Sequence, residues 1–175
     1  MLGDPKDNVD DWLWGVVSVL YFGGLASYFV LLREVPDGRA WVFFTCITVW
    51  VTDSGAYFVG RLTGRKLIKR GMSPSISPGK TWEGALGSAV FGFAAVFVLD
   101  AAFDLGLPIE QRVALGLILP PVIAFGDLAE SALKRALQIK DSSGLIPGHG
   151  GIADRMDSLL FAAPCVYYFV KWIVL

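Results

Sequence analysis

The chain has 175 residues, 54% of them hydrophobic, with a formal net charge of −1 and a mean hydropathy of +0.57. A soluble core of this size cannot hide so much apolar surface, whereas a bilayer accepts it directly. The balanced charge identifies no partner, and no nucleic-acid partner is expected. Cys46 and Cys165 lie in separate apolar runs and read as small hydrophobes, not as a disulfide or metal pair.

Five apolar runs follow one another along the chain, at residues 12–32, 41–60, 84–103, 113–128 and 158–175. Each is long enough to approach or cross a hydrocarbon core about 30 Å thick. They predict an all-α, polytopic transmembrane helical bundle that forms a single integral-membrane domain over 1–175. Trp12, Trp14, Trp41 and Trp172 lie near run ends, as an interfacial aromatic belt requires. Met1–Asp11 carries four acids against one lysine, the wrong start for a cleavable signal peptide.

Five spans put the N-terminus and the loops at 61–83 and 129–157 on one side. That side carries eleven Lys and Arg residues, against four on the other. The positive-inside rule makes both loops cytoplasmic and predicts a cell (inner) membrane protein. A cytosolic anion could then touch both.

The 129–157 loop holds most of the candidate chemistry. On a helix leaving the membrane, Asp127, Ser131, Lys134 and Gln138 recur at spacings of four, three and four and share a face. Ion pairs on a solvated helix end would give the same pattern. Asp127, however, ends an apolar run, where an unpaired carboxylate costs roughly 2–3 kcal/mol. Asp154 and Asp157 stand three apart at the start of the last apolar run, either as helix N-terminal acids or as metal ligands. Hard oxygen donors suit Mg²⁺, which needs one or two carboxylates plus phosphate oxygens and waters. Asp127 and Asp154, with Asp157 in support, would build such a site, and a monovalent cation beside it is left open.

Pro147-Gly148-His149-Gly150-Gly151 can present backbone N–H groups to an anion between Lys140 and Arg155. His149 could donate to a phosphate oxygen or orient the loop. In the 61–83 loop, Arg61, Arg65, Lys66, Lys69 and Arg70 suit anionic lipid headgroups. Lys80, beside Ser77 and Gly79, suits a triphosphate or lipid phosphate. Asp53 lies inside the second run and is a functional candidate as an intramembrane acid, with a structural hydrogen-bonding role as the alternative. Asp100 reads as interfacial.

Ser131-x-Leu133-Lys134-Arg135 leads through Lys140-Asp141, Ser143, Ile146-Pro147 and His149-Gly150-Gly151 to Asp154-Arg155-x-Asp157. This pattern resembles the signature of the phosphatidate cytidylyltransferases, the CDP-diacylglycerol synthases. Thr52-Asp53-Ser54-Gly55-Ala56-Tyr57 and Ser77-Pro78-Gly79-Lys80-Thr81-Trp82-Glu83-Gly84 look like two further motifs of that family, so the resemblance runs over about 45–165. It implies cytidylyl transfer from CTP to phosphatidate, with Mg²⁺, among membrane lipids. It also implies that Asp127 and Asp154 hold the metal, with Asp157 nearby, that Lys134, Arg135, Lys140 and Arg155 handle the phosphates, and that Asp141 is a further catalytic position. Ser77, Lys80, Ser131, His149, Gly150, Gly151 and Asp53 are implied substrate contacts.

Members of that family carry further N-terminal spans, so a homodimer covering the exposed flank is expected. The alternatives are a related CTP-dependent lipid transferase (CDP-archaeol synthase-like or polyprenol or phytol kinase-like) and a non-catalytic scaffold or transporter component.

Overall fold

The structure is a computed structural model that describes residues 5–64, 66, 68–69, 71–136 and 153–175, with the side chains of 5–11 and 153–155 left undescribed. Five helices run in chain order: α1 (Pro5–Glu34), α2 (Gly38–Thr63), α3 (Trp82–Phe103), α4 (Ile109–Ala136) and α5 (Ala153–Phe169), the last extended by a π turn over Val170–Val174. Among the described residues there is no strand, just one β-bridge between Ser73 and Ser77. The chain is all-α, as the apolar runs predict.

All five helices are long and apolar enough to cross a membrane, over Trp12–Glu34, Gly38–Thr63, Trp82–Phe103, Ile109–Ala136 and Met156–Val174. α4 continues without a break eight residues beyond the apolar run that predicts it. Asp127 therefore sits on a rigid rod, not at a helix end. Pro120 and Pro121 lie inside α4. Each lacks an N–H, so the carbonyls of Gly116 and Leu117 lose their ordinary donors while the helix goes on.

α2 and α3 form the most extensive helix pair, followed by α4 with α5 and α3 with α4. Glycines allow the close approach of α2 and α3. A Cβ on Gly55 would lie 2.6 Å from the Phe91 Cβ, and one on Gly87 would lie 2.6 Å from the Val59 Cβ. Small residues bring helices close in lipid, where no hydrophobic force drives them together. The core between the helices is built on Phe44, Val96, Leu115, Leu119, Ile123 and Val166, all fully buried. α1 stands apart: 6% of its apolar stretch is buried, against 33% for α2 and 39% for the other three helices. It leans on α5 and less on α2.

At one end of the bundle, Asp100 is buried. Its Oδ2 lies 3.5 Å from Arg112 Nη1, and its Oδ1 accepts the Leu107 N–H at 3.0 Å. Arg112 also covers the Phe97 ring, and Gln111 donates to the Ile173 carbonyl. This knot fixes the α3–α4 turn against the end of the chain. The candidate chemistry lies at the other end.

Candidate active site

Five elements, α2, the α2–α3 connection, α3, α4 and α5, meet at the opposite end of the bundle around a cavity of about 720 Å³. α2 contributes Asp53, the α2–α3 connection contributes Lys80, α4 contributes Asp127, and α5 contributes Asp157 and Ser158. Asp53 lines this cavity together with Ser158, with Asp157, Asp127 and Lys80 as its charged neighbours. The intramembrane acid is thus part of the same chamber as the acids of α4 and α5.

Lys80 Nζ lies 2.8 Å from Asp127 Oδ2. The pair joins the α2–α3 connection to α4, and local backbone order fixes the lysine. The Lys80 N–H donates to the Ser77 carbonyl at 3.2 Å, and the Lys80 carbonyl accepts from Met72 N at 3.0 Å. Next in the chain, Thr81 caps α3, its hydroxyl accepting the Gly84 N–H at 3.0 Å. That bond satisfies one of the donors a helix start leaves open.

α4 and α5 approach each other at Gly126, where a Cβ would stand 3.0 Å from Phe161 Cδ2 and 3.1 Å from the Asp157 carbonyl. Glycine at 126 therefore lets Asp127 and Asp157 face one chamber. Asp157 Oδ1 also accepts the Ser158 N–H at 2.6 Å. Behind it, buried Glu130 lies against Asp157 and 3.6 Å from Lys134 Nζ. The acids at 127 and 130 thus occupy one face of α4, each beside a lysine.

Arg135 is exposed and donates from Nε to the Ile76 carbonyl at 3.4 Å, so it braces the 73–77 turn against α4. Ser77 contributes its backbone to that turn, donating its N–H to the Ser73 carbonyl. Ser131 is half-buried, one turn beyond Asp127, and does not line the cavity. Arg61 lines the cavity and donates to Tyr57 Oη at 2.7 Å, whereas Lys66 bonds the Leu62 carbonyl at the end of α2. Asp154 and Arg155 belong to the first turn of α5, and their side chains lie outside the described residues. Arg65, Arg70, Lys140, Asp141, His149, Gly150 and Gly151 lie outside them entirely.

Among the described residues no three His, Cys, Asp or Glu side chains gather as a metal cage. A magnesium site does not require one, because one or two carboxylates with substrate oxygens and water complete its shell. The hard oxygen donors at Asp127 and Asp157 fit such an ion. Among the described residues, the cavity wall carries neither cysteine nor histidine.

Comparison with protein-family models matches residues 2–173 to the cytidylyltransferase family. The chain belongs to that family. It is 40% identical over 153 residues to the phosphatidate cytidylyltransferase of Bacillus subtilis (strain 168), an alignment covering 87% of this chain and 55% of that protein. It is 41% identical over 161 residues to the phosphatidate cytidylyltransferase of Brucella suis biovar 1 (strain 1330), covering 89% and 56% respectively. With the Haemophilus influenzae protein of the same name the identity is 41% over 138 residues, covering 76% and 46%. The chain therefore spans about half the length of the curated relatives it matches.

Several cavity residues of this cytidylyltransferase-family chain escape a reading of the sequence. Ser158 follows Asp157 at the start of an apolar run and looks like ordinary helix filler. Tyr57, Ser88 and Thr81 line the cavity from α2, α3 and its cap. Glu130 lies behind the cavity, three residues after Asp127, and pairs with Lys134 as acids and bases on one helix face do.

Proposed function

We propose that the chain carries the catalytic half of a phosphatidate cytidylyltransferase. It moves a cytidylyl group from CTP to phosphatidate, giving CDP-diacylglycerol and pyrophosphate. The observation that carries this reading is the convergence of Asp53, Lys80, Asp127 and Asp157 on one cavity at the end of a membrane-spanning bundle. The names of the curated relatives support the substrate pair.

Phosphatidate is already anionic near neutral pH, so the reaction needs no strong base. An oxygen of the lipid phosphate attacks the α-phosphorus of CTP, the new P–O bond forms, and the α–β anhydride breaks to release pyrophosphate. The barrier is repulsion between two polyanions. Lys80 offers a fixed cation to a phosphate oxygen, and the cavity walls hold the two phosphates in line. Trp50 and Tyr57 line the cavity and are more than half exposed on the outer face of α2, which suits a substrate with acyl chains.

Asp127 and Asp154, with Asp157 beside them, would hold Mg²⁺. When bound, it neutralises and orients phosphate oxygens. Lys134, Lys140 and Arg155 add positive charge around the same end. The excess of Lys and Arg at that end supports a cytoplasmic orientation of the site in the cell membrane. The bare outer face of α1 supports bilayer lipid around it and a homodimer as the working state.

The test is transfer of label from α-³²P-CTP to phosphatidate in detergent micelles with Mg²⁺. Label should enter the lipid fraction and disappear with Asp127→Asn and Asp154→Asn. A folded wild-type protein that labels no lipid overturns the reading. Release of CDP in place of pyrophosphate would assign a kinase instead.

A further inference from the structure

Glu83 lies in the first turn of α3 and is 5% exposed. A carboxylate there gains from the helix N-terminus, but this one also reaches fifteen residues back along the chain. Its Oε1 accepts the Ile68 N–H at 2.9 Å. Ile68 lies in the segment that leaves α2. Four residues on, Met72 donates its N–H to the Lys80 carbonyl at 3.0 Å. Lys80 is in turn separated from Glu83 by Thr81, the cap of α3, and Trp82.

These bonds close a circuit. Glu83 pins Ile68, the strand of chain from Ile68 reaches Met72, Met72 holds the backbone of Lys80, and Lys80 Nζ meets Asp127 at 2.8 Å. Glu83 does not line the cavity. We infer that Glu83 is a positioning residue for Lys80: its carboxylate fixes the α2–α3 connection so that the lysine ammonium stands beside Asp127, where a substrate phosphate would meet it. The placement rests on geometry alone, and its catalytic consequence rests on the activity proposed above.

The acceptor role needs an oxygen but not a charge. Glu83→Gln keeps an amide oxygen for Ile68, whereas Glu83→Ala removes it and lets the connection drift. A merely stabilising acid at a helix start would respond to both changes.

The deciding experiment is zero-length carbodiimide cross-linking of the full chain in detergent, with the Lys80–Asp127 product quantified by mass spectrometry. Thermal stability of each variant is measured alongside. The cross-link should form in the wild type and in Glu83→Gln, and fall severalfold in folded Glu83→Ala. In the cytidylyl-transfer assay, Glu83→Ala should raise KM about tenfold with a smaller change in kcat, as loss of one well-placed charged contact does. Glu83→Ala should add nothing further in a Lys80→Ala background. An unchanged cross-link yield in Glu83→Ala, or equal loss in Glu83→Gln, overturns the inference. Independent, multiplying effects of the two alanine changes overturn it as well. Wild-type protein that cross-links but transfers no cytidylyl group overturns the activity reading and leaves the cross-link result to decide this one.

Discussion

Lys80 and Asp127 stand 2.8 Å apart, although 47 residues separate them in the chain and they belong to different elements. The contact fastens the α2–α3 connection onto α4 and puts a cation beside the acids of the cavity. Without it, Asp53, Asp127 and Asp157 would repel one another and repel any phosphate. Lys80→Met should therefore lower kcat/KM for cytidylyl transfer by roughly 10–100-fold, the range for losing a charge-assisted hydrogen bond. Lys80→Arg should recover part of the loss, because it restores charge with a different reach. Steady-state kinetics with varied CTP and phosphatidate decide this, and unchanged kcat/KM in Lys80→Met would remove the lysine from the site.

Arg112 and Asp100 make the opposite prediction. Their pair fixes the far end of the bundle, distant from the cavity. Arg112→Met leaves the Asp100 carboxylate buried with its charge uncompensated, a cost of about 3 kcal/mol. Asp100→Asn should cost less, since an amide oxygen still accepts the Leu107 N–H. Thermal unfolding in detergent should rank wild type above Asp100→Asn above Arg112→Met. The KM values of the folded variants should stay together, and a large KM change in either would tie this knot to the site.

The five spans were legible because each apolar run is long and the composition leaves no soluble alternative. The acids at 127 and 157 were legible for a related reason: charge at the edge of an apolar run is costly and calls for a partner. Pairing across space was not legible. The pairing of Asp100 with Arg112 was hidden because Arg112 lies beyond a turn whose geometry no spacing rule encodes. The bond from Arg135 Nε to the Ile76 carbonyl, a neutral acceptor reached through the fold, was equally hidden. Glu83 and Ser158 sat within readable segments, but their roles depend on what α2 and its connection bring to them. The continuity of α4 through Pro120 and Pro121 was legible in the unbroken apolar run 113–128, although paired prolines ordinarily argue for a break.

The glycine seam between α2 and α3 should be intolerant of even one methyl group. A Cβ on Gly87 would lie 2.6 Å from the Val59 Cβ and 2.7 Å from the Gly55 carbonyl oxygen, and one on Gly92 would lie 2.6 Å from Thr52 Oγ1 and 2.7 Å from the Pro120 Cγ. Backbone and short side chains cannot yield cheaply, so Gly87→Ala and Gly92→Ala should each cost about 1–3 kcal/mol through overpacking. Gly23→Ala and Gly24→Ala on α1 meet nothing within 4 Å. Those two should leave thermal stability unchanged or slightly raised, because alanine is the better helix former. Equal melting temperatures for all four variants would contradict the close α2–α3 packing.

Gly126→Ala offers the sharpest separation of site geometry from stability. Its new Cβ would stand 3.0 Å from Phe161 Cδ2 and 3.1 Å from the Asp157 carbonyl, tight contacts that α5 can relieve by shifting a few tenths of an ångström. The fold should tolerate that shift with a modest drop in melting temperature. The chamber should not, because the movement carries Asp157 and Ser158 away from Asp127 and Asp53. Misplacement of about 1 Å can cost 100-fold in rate, so a smaller displacement should lower kcat by roughly tenfold with KM little changed. Restoring room opposite the methyl, by combining Gly126→Ala with Phe161→Leu, should return part of the lost kcat. A double variant no better than the single one would show that the loss does not arise from α5 being pushed off α4.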